Sequence, residues 1–170
     1  MKTLKTLTFL LTLTIGFTLA PQAHAQTASA SGLAVAEVLS TGLDVQHRSD
    51  LNFGTVVTGT NDQQVTRDPN TGGQDIAAFS VTGESTASVL LTITTDDLQD
   101  DQGNTLAYSP DVRGYGFDNQ EAAESLSLTD QVNLNQAGEY YVWVGGAITV
   151  GADQAPGAYE STITVGAEYF

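Results

Sequence analysis

Beyond residue 25 the chain is organised by a period of two. The last segment is the cleanest case: Tyr159, Ser161, Ile163, Val165, Ala167 and Tyr169 share one face, and Glu160, Thr162, Thr164, Gly166 and Glu168 share the other. Upstream, residues 140–150 are rich in β-branched and aromatic side chains, and Gly151, Asp153, Pro156 and Gly157 supply turn chemistry between the two segments. That pattern predicts an antiparallel hairpin of 140–150 with 159–169. A second hairpin is predicted where 79–81 and 87–93 flank Gly83-Glu84-Ser85. Residues 33–45 and 51–57 supply opening strands, while 96–104 and 111–119 are polar and Gly-containing and read as loops. Only 118–127, with Ala122, Ala123 and Leu126, offers a short helix. Short strands separated by turn residues predict an all-β, immunoglobulin-like antiparallel sandwich.

The first 25 residues follow a different rule. Lys2 and Lys5 precede an apolar run lightened by Thr, and Ala23-His24-Ala25 is a small-x-small cleavage site, so 1–25 reads as a secretory signal peptide. The run is short for a membrane span and no second one follows, so the expectation is an exported chain with no membrane insertion after cleavage. Residues 26–170 are expected to form one domain with its core in 33–169. Cleavage removes both lysines and leaves three arginines against all 20 acids, a net charge of −17. Nucleic acid and anionic membrane surfaces reward Lys and Arg, so neither is an expected partner. Without Cys, disulfides, thiolate metal sites and cysteine nucleophiles are excluded.

Catalytic chemistry finds little to work with. His47 is the sole histidine of the mature chain, and its neighbours Ser49 and Asp50 lie too close in sequence to read as a triad. Twenty acids place some carboxylates near one another by number alone, so no glycosidase-like pair stands out. The chain is expected not to be an enzyme. Asp96, Asp97, Asp100 and Asp101 form the densest acidic stretch, beside Gly103 and Asn104. Calcium takes hard oxygens from such loops, but the EF-hand spacing is absent, and a solvated loop without cofactor is the default. In the 140–144 stretch Tyr140, Val142 and Val144 share one face and Tyr141 and Trp143 the other. One of the two is core, and the other is either covered or a contact patch. Gly145-Gly146 reads as a bulge or a close backbone approach.

Several segments recur in order: Leu51-Asn52-Phe53-Gly54, Val65 through Gly72 with Asp68-Pro69-Asn70, Phe79-Ser80-Val81-Thr82-Gly83, and Val144-Gly145-Gly146 followed by Pro156-Gly157-Ala158-Tyr159. In these the chain resembles the bacterial domain-of-unknown-function family 4402 over most of 33–169. The resemblance implies a secreted Gram-negative β-sandwich akin to fimbrial subunits and spore-coat-U-type domains, with no established enzymatic activity. Periplasmic, cell-surface or extracellular location is expected on that basis. Tyr169 is penultimate and Gly157 fourteenth from the end, as in chaperone–usher pilins. By that likeness Gly157, Tyr159, Ile163, Val165, Ala167 and Tyr169 form an assembly strand, completed by a chaperone or by a neighbouring copy through strand addition. The donor is expected to run through Leu33, Val35 and Leu39, with Glu37 between them; the opposite register uses Ala34, Ala36 and Val38. The competing expectation is a complete, free-standing extracellular binding module, supported by calcium at the acidic loop.

Overall fold

The computed structural model describes residues 41–73 and 75–170. Residues 1–25, expected to be a signal peptide, and the donor candidates Leu33, Val35 and Leu39 lie outside the described residues. Among the described residues ten strands occur in order: β1 (Asp44–Ser49), β2 (Gln63–Arg67), β3 (Ala77–Thr82), β4 (Ser88–Thr94), β5 (Leu98–Gln99), β6 (Thr105–Tyr115), β7 (Glu124–Ser125), β8 (Thr129–Asn133), β9 (Glu139–Val150) and β10 (Thr164–Tyr169). All pairings are antiparallel. The protein is an all-β antiparallel sandwich, as its alternation predicts.

The larger sheet is built on the long ribbon β6–β9, which stays paired from Ala107↔Thr149 to Tyr115↔Tyr141. The free edge of β9 is shared end to end. Residues 139–144 pair with β3, which pairs in turn with β1, and residues 146–150 pair with β2. The other edge of β6 is divided likewise between β5 and β7. A second sheet, ordered β10-β4-β8, packs on half of this ribbon. Alternate residues from both sheets fill the gap: Phe79 and Val81 of β3, Val89, Leu91 and Ile93 of β4, Val132 of β8, and Val142 and Val144 of β9. Leu91, Val81, Val89, Val142 and Val144 are fully buried.

The sequence pattern gives the right faces but the wrong partners in two places. Strand β10 does not form a hairpin with β9: it pairs with β4 in the opposite sheet. Likewise β3 and β4 are not a hairpin, since the turn at Gly83 carries the chain from one sheet to the other. Both crossings preserve inward alternation, so periodicity alone cannot tell them from hairpins. Gly83 is required at this corner, because a Cβ would collide with the Tyr169 hydroxyl and the Leu43 and Leu134 side chains.

Other boundaries shift. Of the final segment only Thr164–Tyr169 is strand, and Glu160 makes an isolated bridge to Gln99. Residues 51–57 form no strand: Gly54 takes φ +77° and its N–H donates to the Asn52 side chain, which interrupts an extended run. Residues 111–115 are not a loop but the second half of β6. Their polar members Asp111 and Arg113 pair with each other on the outer face at 3.0 Å, leaving Val112 and Gly114 inward. The short helix reduces to one 3-10 turn, Gln120–Ala122.

Candidate functional site

Strand β10 is where the sandwich is least finished. It pairs with β4 from Thr164↔Thr94 to Tyr169↔Val89, and among the described residues its other edge carries no strand. Because Val89, Leu91 and Ile93 point into the core, their partners Tyr169, Ala167 and Val165 do too. Yet all three, and Ile163 just before them, are only partly buried, whereas their β4 partners are closed off from solvent. Along this flank the edge of the larger sheet is β1. A cleft of about 490 Å³ opens between the end of β1 and residues 159–163, with Ala77 and Phe79 among its lining residues. An exposed edge over half-buried apolar side chains is the arrangement that an added strand completes.

Tyr169 fixes the far end of this edge. Its hydroxyl donates to the Thr41 carbonyl at 2.8 Å and accepts from the Glu84 N–H at 2.7 Å. Thr41 N–H donates in turn to the Glu84 carboxylate at 3.2 Å. The last strand therefore holds the point where the described chain begins. Sequence reasoning missed Thr41, Gly83 and Glu84, because an aromatic penultimate residue says nothing about which turn receives its hydroxyl.

The six residues expected to act as one assembly strand fall into two groups. Val165, Ala167 and Tyr169 lie on β10, with Ile163 leading in, and pack on the main core. Tyr159 belongs to a separate apolar cluster with Leu106, Ile148 and Val150. Its hydroxyl donates to the Ala155 carbonyl and accepts from the Gln154 amide, both at 2.7 Å. Gly157 is an exposed turn residue beside Asp100.

The sequence profile of the family described as domain of unknown function DUF4402 matches residues 43–169. The chain belongs to that family. No curated protein matches it. The match begins just before β1 and ends at Tyr169, so it spans both sheets and the whole of β10 in this DUF4402 domain.

The remaining candidates for chemistry are engaged elsewhere. In the acidic loop Asp97 accepts from the Tyr108 N–H at 2.9 Å. Asp100 accepts from the Asn104 side-chain amide at 2.7 Å and from the N–H groups of Gln102 and Asn104. The Asn104 amide, with help from those backbone donors, holds the Asp100 carboxyl below the usual carboxylate range. Asp100 thus caps its own turn and Asp97 ties the loop to β6, and among the described residues no three Asp, Glu or His side chains converge on a point where an ion could sit. His47 lies in β1, not between strands, with Nε2 3.0 Å from the Asp50 carboxylate and its ring edge-on to Phe79. Ser49 is turned away and donates to the Ile76 carbonyl.

The outer aromatic face is covered. Trp143 packs with Ile76, Ala78 and Ala123, the last carried there by the 3-10 turn. Tyr141 stacks on Trp143 at 6.1 Å, and the Arg48 guanidinium lies over Tyr141 while forking onto Asp118 at 2.8 and 2.9 Å. That fork keeps the Asp118 carboxyl low. Gly145 and Gly146 are close backbone approaches, as expected: a Cβ at Gly145 would strike the Arg67 carbonyl, and one at Gly146 the Ser109 carbonyl. Among the described residues no helix is long and apolar enough to cross a membrane.

Proposed function

We propose that this protein is an exported surface subunit, structural or adhesive, assembled or chaperoned by strand addition along β10. The observation that carries the reading is the edge itself. Val165, Ala167 and Tyr169 face the core on a strand that, among the described residues, is paired on one side, and they stay partly exposed where their β4 partners are closed off. The secretory character of residues 1–25 and the likeness of the family to fimbrial and spore-coat-U-type domains agree with it. The candidate occupants are a periplasmic chaperone strand and the segment through Leu33, Val35 and Leu39 of a neighbouring copy. That segment carries one charge, Glu37, in a protein with 20 acids, so it can approach another copy with little added repulsion.

The test uses residues 26–170 purified from the periplasm, resolved on a denaturing gel with and without heating. The expected result is a heat-sensitive ladder, or a weakly stable monomer that a peptide of residues 33–40 stabilises. Val165→Asp or Tyr169→Asp should abolish either behaviour by placing a charge at the edge. A monomer that unfolds cooperatively with several kcal/mol of stability, gives no ladder and ignores the peptide would overturn the reading.

A further inference from the structure

The larger sheet outruns the smaller one. Strands β4 and β10 stop opposite each other at Thr94 and Thr164, while the ribbon β6–β9 and its neighbours β2 and β5 continue. The overhanging inner face carries Leu106, Ile148 and Val150, and no strand of the second sheet covers it. Its cover is irregular chain: residues 51–58 on one side and 154–160 on the other. Between cover and sheet lies a cavity of about 680 Å³, within the roughly 300–1,000 Å³ of small-molecule sites.

Three features define what it would accept. Its walls are more apolar than polar, with Phe53, Val56, Leu98, Leu106 and Ile148 prominent among them. Three of its polar side chains already bond within the protein, Tyr159 to Ala155 and Gln154, and Asn52 to the Gly54 N–H, while Thr55 and Thr58 line it from exposed positions. Among the described residues the one charged side chain on its wall is that of Glu160, and no Lys, Arg or His lines it. A carboxylate or phosphate ligand would meet repulsion from Glu160 and find no counter-ion. The cover is also able to yield. Residues 51–58 form no sheet pairing, and Arg67 tethers them through the Asn52 and Phe53 carbonyls at 2.8 and 2.9 Å. Val57 is 77% exposed on that segment, so displacing it breaks no strand ladder.

We infer that this cavity is a binding site for a neutral, mainly apolar molecule of the alcohol or ester class. The inference rests on the overhang and not on strand addition at β10, although the cavity shares Leu51, Phe53, Leu98, Tyr159 and Glu160 with the cleft beside residues 159–163. The test uses residues 26–170 and the uncharged dye N-phenyl-1-naphthylamine. Saturable fluorescence enhancement is expected, reversed by 1-dodecanol at a concentration at least about tenfold lower than dodecanoate requires. Val56→Trp and Ala158→Trp fill the cavity from its two covering segments and should each weaken dye binding tenfold or more without lowering the urea midpoint. Val165→Asp, at the assembly edge, should leave binding unchanged. In the unaltered protein, the methyl resonances of Leu98, Leu106 and Ile148 should move on adding dodecanol while those of Val89 and Leu91 stay. Absence of saturable binding, equal potency of dodecanoate, unchanged binding in both filled variants, or shifts confined to Val89 and Leu91 would each overturn the proposal.

Discussion

The two halves of β9 obey one sequence rule and reach different ends. From 139 to 144 the strand is covered on both faces: Val142 and Val144 meet the β4 side chains, and Trp143 is covered by the 3-10 turn. From 146 to 150 the same alternation continues through Ile148 and Val150, both buried, but beneath irregular chain and a cavity. Alternation therefore specifies that a face will be covered, not what covers it. A strand-covered face is a packed interior, where removed atoms leave a void that neighbours cannot refill. A loop-covered face adjusts, and that is where a ligand can enter.

The sharpest way to break the symmetry is a deletion in each half. Leu91→Ala removes a fully buried side chain wedged between β3, β9 and the flanking strands of its own sheet. Its cost should be about 3–4 kcal/mol, read from the urea midpoint followed by Trp143 fluorescence. Gly146→Ala acts on the hinge between the halves. Its φ of +128° disfavours any side chain, and the new methyl would press on the Ser109 carbonyl of β6. We expect about 2–3 kcal/mol, and loss of dye binding alongside, since the overhang hangs from this point. Ile148→Ala, equally buried in the other half, should cost only about 2 kcal/mol because the 51–58 cover can settle into the gap. Equal costs for Leu91→Ala and Ile148→Ala would mean that the overhang is packed as tightly as the core.

The same contrast explains what could be foreseen from the amino acids. The inward set Phe79, Val81, Val89, Leu91, Val142 and Val144 is legible because side-chain direction in a strand is a local property. Pairing is not local: the turns after Val81 and after Val150 carry ordinary turn residues, yet both lead into the opposite sheet. Strand β6 escaped notice at Asp111 and Arg113 because two opposite charges side by side on the outer face look like a loop. At the candidate site, the inward face of β10 through Val165, Ala167 and Tyr169 is readable from alternation. Its edge, unpaired among the described residues, is not, since an edge is defined by which strands lie beside it rather than by its own residues. The cavity is hidden for a related reason: the Leu51-Asn52-Phe53 run looks like strand until Gly54 bends it.

The smallest predicted effect compares the halves by titration. Tyr140, packed at the rim of the main core, and Tyr108, in the overhang cluster, are both pushed up to about 12 by burial, with nearby carboxylates adding to it. A tyrosine in the unfolded chain ionises near 10. The folded protein thus keeps protons that the unfolded chain releases, so the stabilisation is complete below pH 10 and is lost as pH rises from there to about 12. With solvent reaching both rings, each should contribute roughly 1 kcal/mol to that loss. Tyr140→Phe and Tyr108→Phe should each remove a comparable part of the alkaline decline, the remainder including Tyr141, which burial also pushes up. They should differ at neutral pH, because Tyr108 donates to the Gly145 carbonyl at 2.6 Å and its removal leaves an acceptor unpaired at the hinge. Urea unfolding at pH 8 and pH 11, with phenolate absorbance on the same samples, reads both effects. If Tyr108 ionises near 10 in the folded protein, solvent reaches the overhang cluster freely, and the burial assigned to that ring would fail.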